Sequence, residues 1–240
     1  MESSKYKYNS WPCGNVPKEL QRPELDDLKK HGYEWSDPRD VVDICERKIA
    51  DFFGAKFCVT TDCCSHAIFL SLQYLREFGE LDAYENIIIP KHTYISVPMQ
   101  IIHAGLKVSF GDIRWQGYYN LGHTRVIDAA VIWERDSYVQ HSLMCLSFQI
   151  KKNIPTGKMG AILVDDIEAY EWLKLVSYDG RDLTTPYDSI GHVRMLGWHM
   201  YATPEDCART IMLMDSIKEE GRYMGSDSYP DVSEMFNFIS

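Results

Sequence analysis

The chain has 240 residues, enough to bury a full core, and a net charge of -10 with 45% hydrophobic residues. No Lys/Arg cluster stands out, so a nucleic-acid backbone finds no basic face to bind. No apolar run is long enough to span a bilayer, and the N-terminal MESSKYKYNSWPCGN has no apolar signal-peptide core. Seven cysteines, an odd number with no C-x-x-C pair, suit neither a disulfide framework nor a zinc site. A reducing cytoplasm is the natural setting.

In chain order, residues 1–36 read as a polar, proline-dotted arm followed by a short helix from Pro23 to Lys30, closed by His31-Gly32. Residues 37–215 read as the main domain and 216–240 as a polar, loose tail. Ser36 or Asp37 is placed to cap a helix that runs through Val41, Ile44, Ile49 and Phe53 to Gly54. Lys56–Thr60 is a short strand, and a helix follows from Cys64 to Phe78. Strands are expected at Asn86–Ile89, Leu106–Phe110, Arg125–Asp128, Leu143–Phe148 and Gly160–Val164. Helices are expected over Ile95–His103 and Asp166–Val176, and after Thr203-Pro204, where threonine caps and proline fills the first turn. Apolar strands alternating with helices imply an α/β fold of three layers, with a mostly parallel sheet covered on both faces.

Four segments hold candidate chemistry. Lys151 and Lys152 follow the strand that ends at Ser147-Phe148, and a Thr-Gly turn then leads back into the next strand. Lysines past a strand end lie where α/β proteins bind ligands, and adjacent ammonium groups favour the neutral amine that attacks aldehydes. They are equally readable as exposed strand-end lysines. Asp128 closes a buried strand ahead of Ala129-Ala130; it can pair with a protonated ring nitrogen or simply cap a loop. Thr60 to Ala67 forms a strand-to-helix junction whose free amides can cradle phosphate or be capped in the ordinary way. Tyr94, after a strand end, can stack on a flat ring or pack at a rim. A nucleophile at Cys63 or Cys64 with one of the eight histidines has no local signature behind it, and no spacing suggests a metal site.

The order of these segments resembles one family. Cys58-Val-Thr-Thr-Asp-Cys-Cys-Ser-His-Ala-Ile68 is similar to "AVAVSSGTAAL", and Ile87 to Ser96 to "VIVPAYTFVAT". His103 to Ile113 is similar to "AGAKPVFVDI", Val126 to Ala130 to "VIEDAA", and Ser147 to Ala161 to "SFHATKNLTTGEGGA". Tyr178-Asp-Gly180 and Gly197 to Thr203 echo "RxHG" and "GYNYRMT". This is the DegT/DnrJ/EryC1/StrS family of fold-type-I pyridoxal-phosphate (PLP) enzymes, which transfer amino groups to nucleotide-linked keto-sugars.

The resemblance implies an aminotransferase using PLP, an amino-acid donor and a keto acceptor, with its site at a homodimer interface. It assigns Lys152 as the cofactor-bearing lysine and proton shuttle, and Asp128 as partner of the ring nitrogen. Ser147 and the Cys64 and Ser65 amides would hold the phosphate. Tyr94 would stack on the ring, and His199, at the asparagine of "GYN", would reach the neighbour's phosphate. Departures stand at Val131, Cys64, Lys158-Met159 and Tyr201, and the family's strand and helix between Ile113 and Val126 shrink to a stretch such as Gly117–Gly122. A catalytically silent relic acting as a scaffold, and a PLP enzyme of another reaction type, remain open alternatives.

Overall fold

The computed structural model describes Pro17, residues 20–217, Gly221 and residues 224–239. Most of the N-terminal arm and part of the tail therefore lie outside the described residues. Helix α1 spans Pro23–Lys30, as the sequence predicts, with proline in its first turn and basic residues in its last. Helix α2 spans Asp40–Phe53 and ends at Gly54, whose φ of 74° is a left-handed cap conformation. It starts later than expected because Asp37 Oδ1 accepts from the Arg39 amide and folds residues 37–39 into a turn of their own.

Strand β1 (Phe57–Thr61) leads into α3 (Cys64–Glu77), and β2 (Asn86–Pro90) into α4 (Ser96–His103). Strands β3 (Lys107–Gly111), β4 (Tyr119–Asn120), β5 (Val126–Asp128), β6 (Leu143–Ser147) and β7 (Gly160–Val164) follow. Helix α5 (Ile167–Val176) is capped by Asp166, and α6 (Pro204–Ser216) by Thr203.

The α/β class and the three layers stand. The sheet is more mixed than the sequence predicts. Five strands run in the order β1-β7-β6-β5-β4, and β2 and β3 form a separate pair. Only β5–β6 and β2–β3 are parallel; β1–β7, β6–β7 and β4–β5 are antiparallel. The cause is the connections. A parallel pair needs a long crossover, whereas β6 turns back into β7 through residues 148–159 and β4 into β5 through a tight turn. That turn also joins the two sheets: a Cβ on Gly122, at φ +58°, would stand 3.2 Å from the Ile88 amide nitrogen.

Side chains alternate between the two faces with the period of a strand. Leu143 and Cys145 of β6 and Ile162 and Val164 of β7 join a core with α3, α4 and α5. Met144, Leu146, Ala161 and Leu163 join a second core with α1, α2 and α6. Leu28 of α1 and Leu70 of α3 are fully buried, each contributing about 1.5–3 kcal/mol of transfer energy. The tail differs from the loose segment expected. Val232 and Phe236 are buried, the Val232 amide donates to the Lys91 carbonyl at 2.9 Å, and Phe236 lies 5.8 Å from Phe110.

Candidate active site

One end of the sheet gathers the strand termini named by the sequence. Thr61, Gly160 and Ser147 are cross-strand neighbours at the ends of β1, β7 and β6. Asp128 ends β5, opposite Cys145, and this edge is where open α/β sheets hold ligands. Gly160 sets the position of α3. A Cβ there would stand 2.3 Å from the Cys64 nitrogen, so only glycine lets the first turn of the helix seat directly on the sheet. The early amides of an α-helix have no internal acceptors and favour an anion. Cys64 and Ser65 occupy that turn, close to Ser147 through Gly160.

Asp128 is the buried charge of the site, 7% exposed. Burial pushes its carboxyl above the ordinary range, opposed by the Tyr119 hydroxyl, the Ala130 amide and the Lys152 ammonium. Tyr119 donates to Oδ2 at 2.8 Å and the Ala130 amide to Oδ1 at 3.0 Å. Tyr119 in turn is hydrogen-bonded to Thr93. Its single proton goes to Asp128, so the Thr93 hydroxyl donates to Tyr119.

Lys152 is half-buried and Lys151 exposed. The charge of Lys152 acts on both Asp128 and Cys64, which separates two lysines that the sequence leaves equivalent. Lys152 sits in a turn, its amide donating to the Gln149 carbonyl at 2.8 Å. Burial, with the Asp128 charge adding to it and Lys152 opposing, pushes the Cys64 thiol well up, so it stays neutral. Ser65 Oγ is 2.7 Å from Ser96 Oγ of α4. Ser147 is half-buried and its Oγ lies 3.4 Å from the Gln149 amide.

Two of the expected residues are exposed. Tyr94 is 59% exposed. His199 is exposed and engaged with Asp179 at 2.9 Å and Tyr201 at 3.2 Å, away from Asp128 and Lys152 in its hydrogen bonding. The structure adds residues that the sequence reading does not single out. Tyr229, brought in by the tail, is pushed up to about 12 by burial, with the charge of Asp128 adding to the shift. Its carbonyl meets His92 Nδ1 at 3.0 Å, and its ring lies 5.6 Å from Trp115, itself 4.9 Å from Tyr119. Val131, at a position where the family carries a polar residue, is buried.

A cleft of about 920 Å³ opens elsewhere, between α2, α5 and the start of β1. Its walls hold ion pairs, Lys174 with Glu46 at 2.8 Å and Arg39 with Asp37 at 2.8 Å. Asp62, Cys63 and His66 also cluster, with one potential ligand atom of each within 4.8 Å of the others. Spacing alone does not announce this group. No described helix is long and apolar enough to cross a membrane.

The fold is similar to that of solved PLP-dependent aminotransferases. The sequence resemblance stands as well: the model of the DegT/DnrJ/EryC1/StrS aminotransferase family matches residues 20–131. That match includes Cys64, Ser65, Tyr94 and Asp128, while Lys152 lies beyond it.

Among solved structures, 3-amino-5-hydroxybenzoic acid synthase is similar at 19% identity and a TM-score of 0.64, covering 88% of this chain and 65% of that one. The sugar aminotransferase CalS13 from Micromonospora echinospora is similar at 12% identity and 0.64, covering 86% and 68%. The E. coli GDP-4-keto-6-deoxy-D-mannose-3-dehydratase with bound hydrated PLP is similar at 15% identity and 0.64, covering 87% and 68%. The chain thus spans a little under two thirds of the synthase. No curated protein sequence matches.

Proposed function

We propose that the chain binds PLP at this sheet edge through Lys152 and acts as an aminotransferase-like protein on a small keto compound, a nucleotide-linked keto-sugar being the favoured class. The observation that carries the reading is the desolvated Asp128 carboxylate, held by two donors and facing the charge of Lys152. The residues fit the group. A carboxylate with lone pairs left over suits a protonated ring nitrogen, the first turn of α3 suits a phosphate, and Lys152 suits an aldehyde.

PLP, when bound, supplies an electron sink for the bonds at the substrate's amino-bearing carbon. Asp128 would keep the ring nitrogen protonated. The Cys64 and Ser65 amides with Ser147 Oγ would anchor the phosphate. Lys152 Nζ would carry the proton between substrate carbon and cofactor carbon. Tyr94 would cover the ring, and Tyr229 would help exclude water. His199, exposed, would exchange its Tyr201 contact for the phosphate of a second copy in a homodimer, with no nucleic acid or membrane as partner. A cytoplasmic setting suits the six described cysteines, none of which is in a disulfide.

Another reaction type is the second reading, since a 3-dehydratase resembles the chain as closely as a sugar aminotransferase does. A silent scaffold is the third, favoured by the buried Cys64 thiol at the phosphate cup. The experiment is a PLP titration followed by visible absorption, borohydride reduction and peptide mapping. Cofactor fixed to the peptide holding Lys152, lost in Lys152→Ala and retained in Lys151→Ala, supports the reading. No fixation, or fixation indifferent to Lys152→Ala, overturns it. Keto-acid release from glutamate or glutamine would then separate amino transfer from elimination chemistry.

A further inference from the structure

Of the six described cysteines, five are buried, and Cys63 is the one with solvent access. It is the N-cap residue of α3, beside the amides of the first turn that have no acceptor within the helix. The His66 ring, one turn along, is bonded through Nδ1 to Asp62 Oδ1 at 2.6 Å. Sγ of Cys63, a His66 ring nitrogen and an Asp62 oxygen all lie within 4.8 Å of one another. Asp62, and then the Cys63 thiol, push the His66 imidazole up to about 9, so at neutral pH the thiol has a cation beside it. Lys158 Nζ, 3.1 Å from Asp62 Oδ2, adds a second positive charge. That ammonium opposes a metal ion in the same place.

We propose that Cys63 is a nucleophilic thiol that exchanges with small disulfides, with His66 and Asp62 as the partners that position and charge the site. The Cys63 sulfur, its proton released to solvent, attacks one sulfur of the small disulfide. A Cys63–sulfur bond forms and the disulfide's own S–S bond breaks. The departing half leaves as a thiolate and takes up a proton. Cys63 is oxidised to a mixed disulfide and one thiol equivalent is released, so no outside oxidant is needed. This site stands independently of PLP binding, because none of its three side chains is assigned to the cofactor.

The test incubates the full-length protein with oxidised glutathione at pH 7 and follows the glutathionyl adduct by intact mass and peptide mapping. Mapping separates Cys63 from Cys13, which lies outside the described residues. The adduct is expected on the Cys63 peptide, absent from Cys63→Ser, and formed ~10-fold more slowly in His66→Asn because the adjacent cation is lost. Asp62→Asn, which releases the imidazole, is expected to slow it in the same direction and serves as the comparison should His66→Asn fail to fold. Circular dichroism confirms that each variant keeps its helices. No adduct at Cys63, or an unchanged rate in a folded His66→Asn or Asp62→Asn, overturns the proposal.

Discussion

The Tyr119 hydroxyl donates a 2.8 Å hydrogen bond to Asp128 Oδ2 from the neighbouring, antiparallel strand. Both residues are buried, and Tyr119 stands directly opposite Asp128 in the β4–β5 register. Thr93 completes a relay of three groups, its hydroxyl donating to the tyrosine oxygen, which in turn donates to the carboxylate. The short β4 thus holds the carboxylate in place through its tyrosine.

Removing that hydroxyl with Tyr119→Phe leaves Asp128 Oδ2 and the Thr93 hydroxyl short of a partner in the interior. The cofactor-free protein is expected to lose about 1–3 kcal/mol, the cost of a buried unsatisfied acceptor. Urea unfolding of wild type and variant measures it. A loss under about 0.5 kcal/mol, the range of an ordinary surface change, would show that water replaces the hydroxyl.

Gly160→Ala forces a methyl to within 2.3 Å of backbone at the start of α3. Backbone cannot swing aside as a side-chain tip can, so the helix must shift, at an expected cost of about 1–3 kcal/mol. Gly191, with nothing within 4 Å of its added Cβ, is the control, and Gly191→Ala is expected to stay within about 0.5 kcal/mol. Equal melting temperatures for the two variants would contradict the packing argument.

Lys174→Met strands Glu46. That carboxylate, 4% exposed, accepts from Lys174 at 2.8 Å and from the Thr60 amide and hydroxyl at 2.8 and 3.0 Å. Burial alone would lower the lysine's proton affinity; Glu46 and Asp43 more than offset it and raise it. Breaking a buried pair from one side costs about 3–5 kcal/mol, and the two Thr60 donors and the partial exposure of Lys174 put the expected loss near the lower figure. The double replacement Glu46→Gln with Lys174→Met should recover part of it. Chemical denaturation of the three proteins decides the point.

His66 gives a pH signature. Its folded value of about 9 exceeds the ordinary 6.5, with Asp62 the first cause. The stability it contributes is therefore complete below about pH 6.5 and disappears as pH rises through 9. The melting temperature of wild type minus that of His66→Asn should shrink across that interval. A difference that grows with pH would place the proton elsewhere.

Much of the local structure is legible in the residues themselves. Pro23 with its acidic first turn, the Thr203 cap and the glycine after Phe53 mark helix ends because capping is a matter of neighbouring atoms. The alternation of β6 and β7 side chains between the two cores follows from the two-residue period of a strand. Asp128, Ser147 and the α3 N-terminus sit together at the end of the sheet because each lies at a strand terminus that sequence order already suggests.

What the chain alone leaves undecided is which groups meet across long separations. Strand direction depends on the reach of each connection, so the mixed sheet emerges only when β6 turns back into β7. Lys151 and Lys152 are neighbours in sequence and differ in the fold, Lys151 exposed and Lys152 half-buried with its charge acting on Asp128. Tyr119 and Tyr229 carry no local signal, because their partners come from other strands and from the far end of the chain. Their roles arise from desolvation and charge at a packed junction, and those exist only once the chain has folded around it.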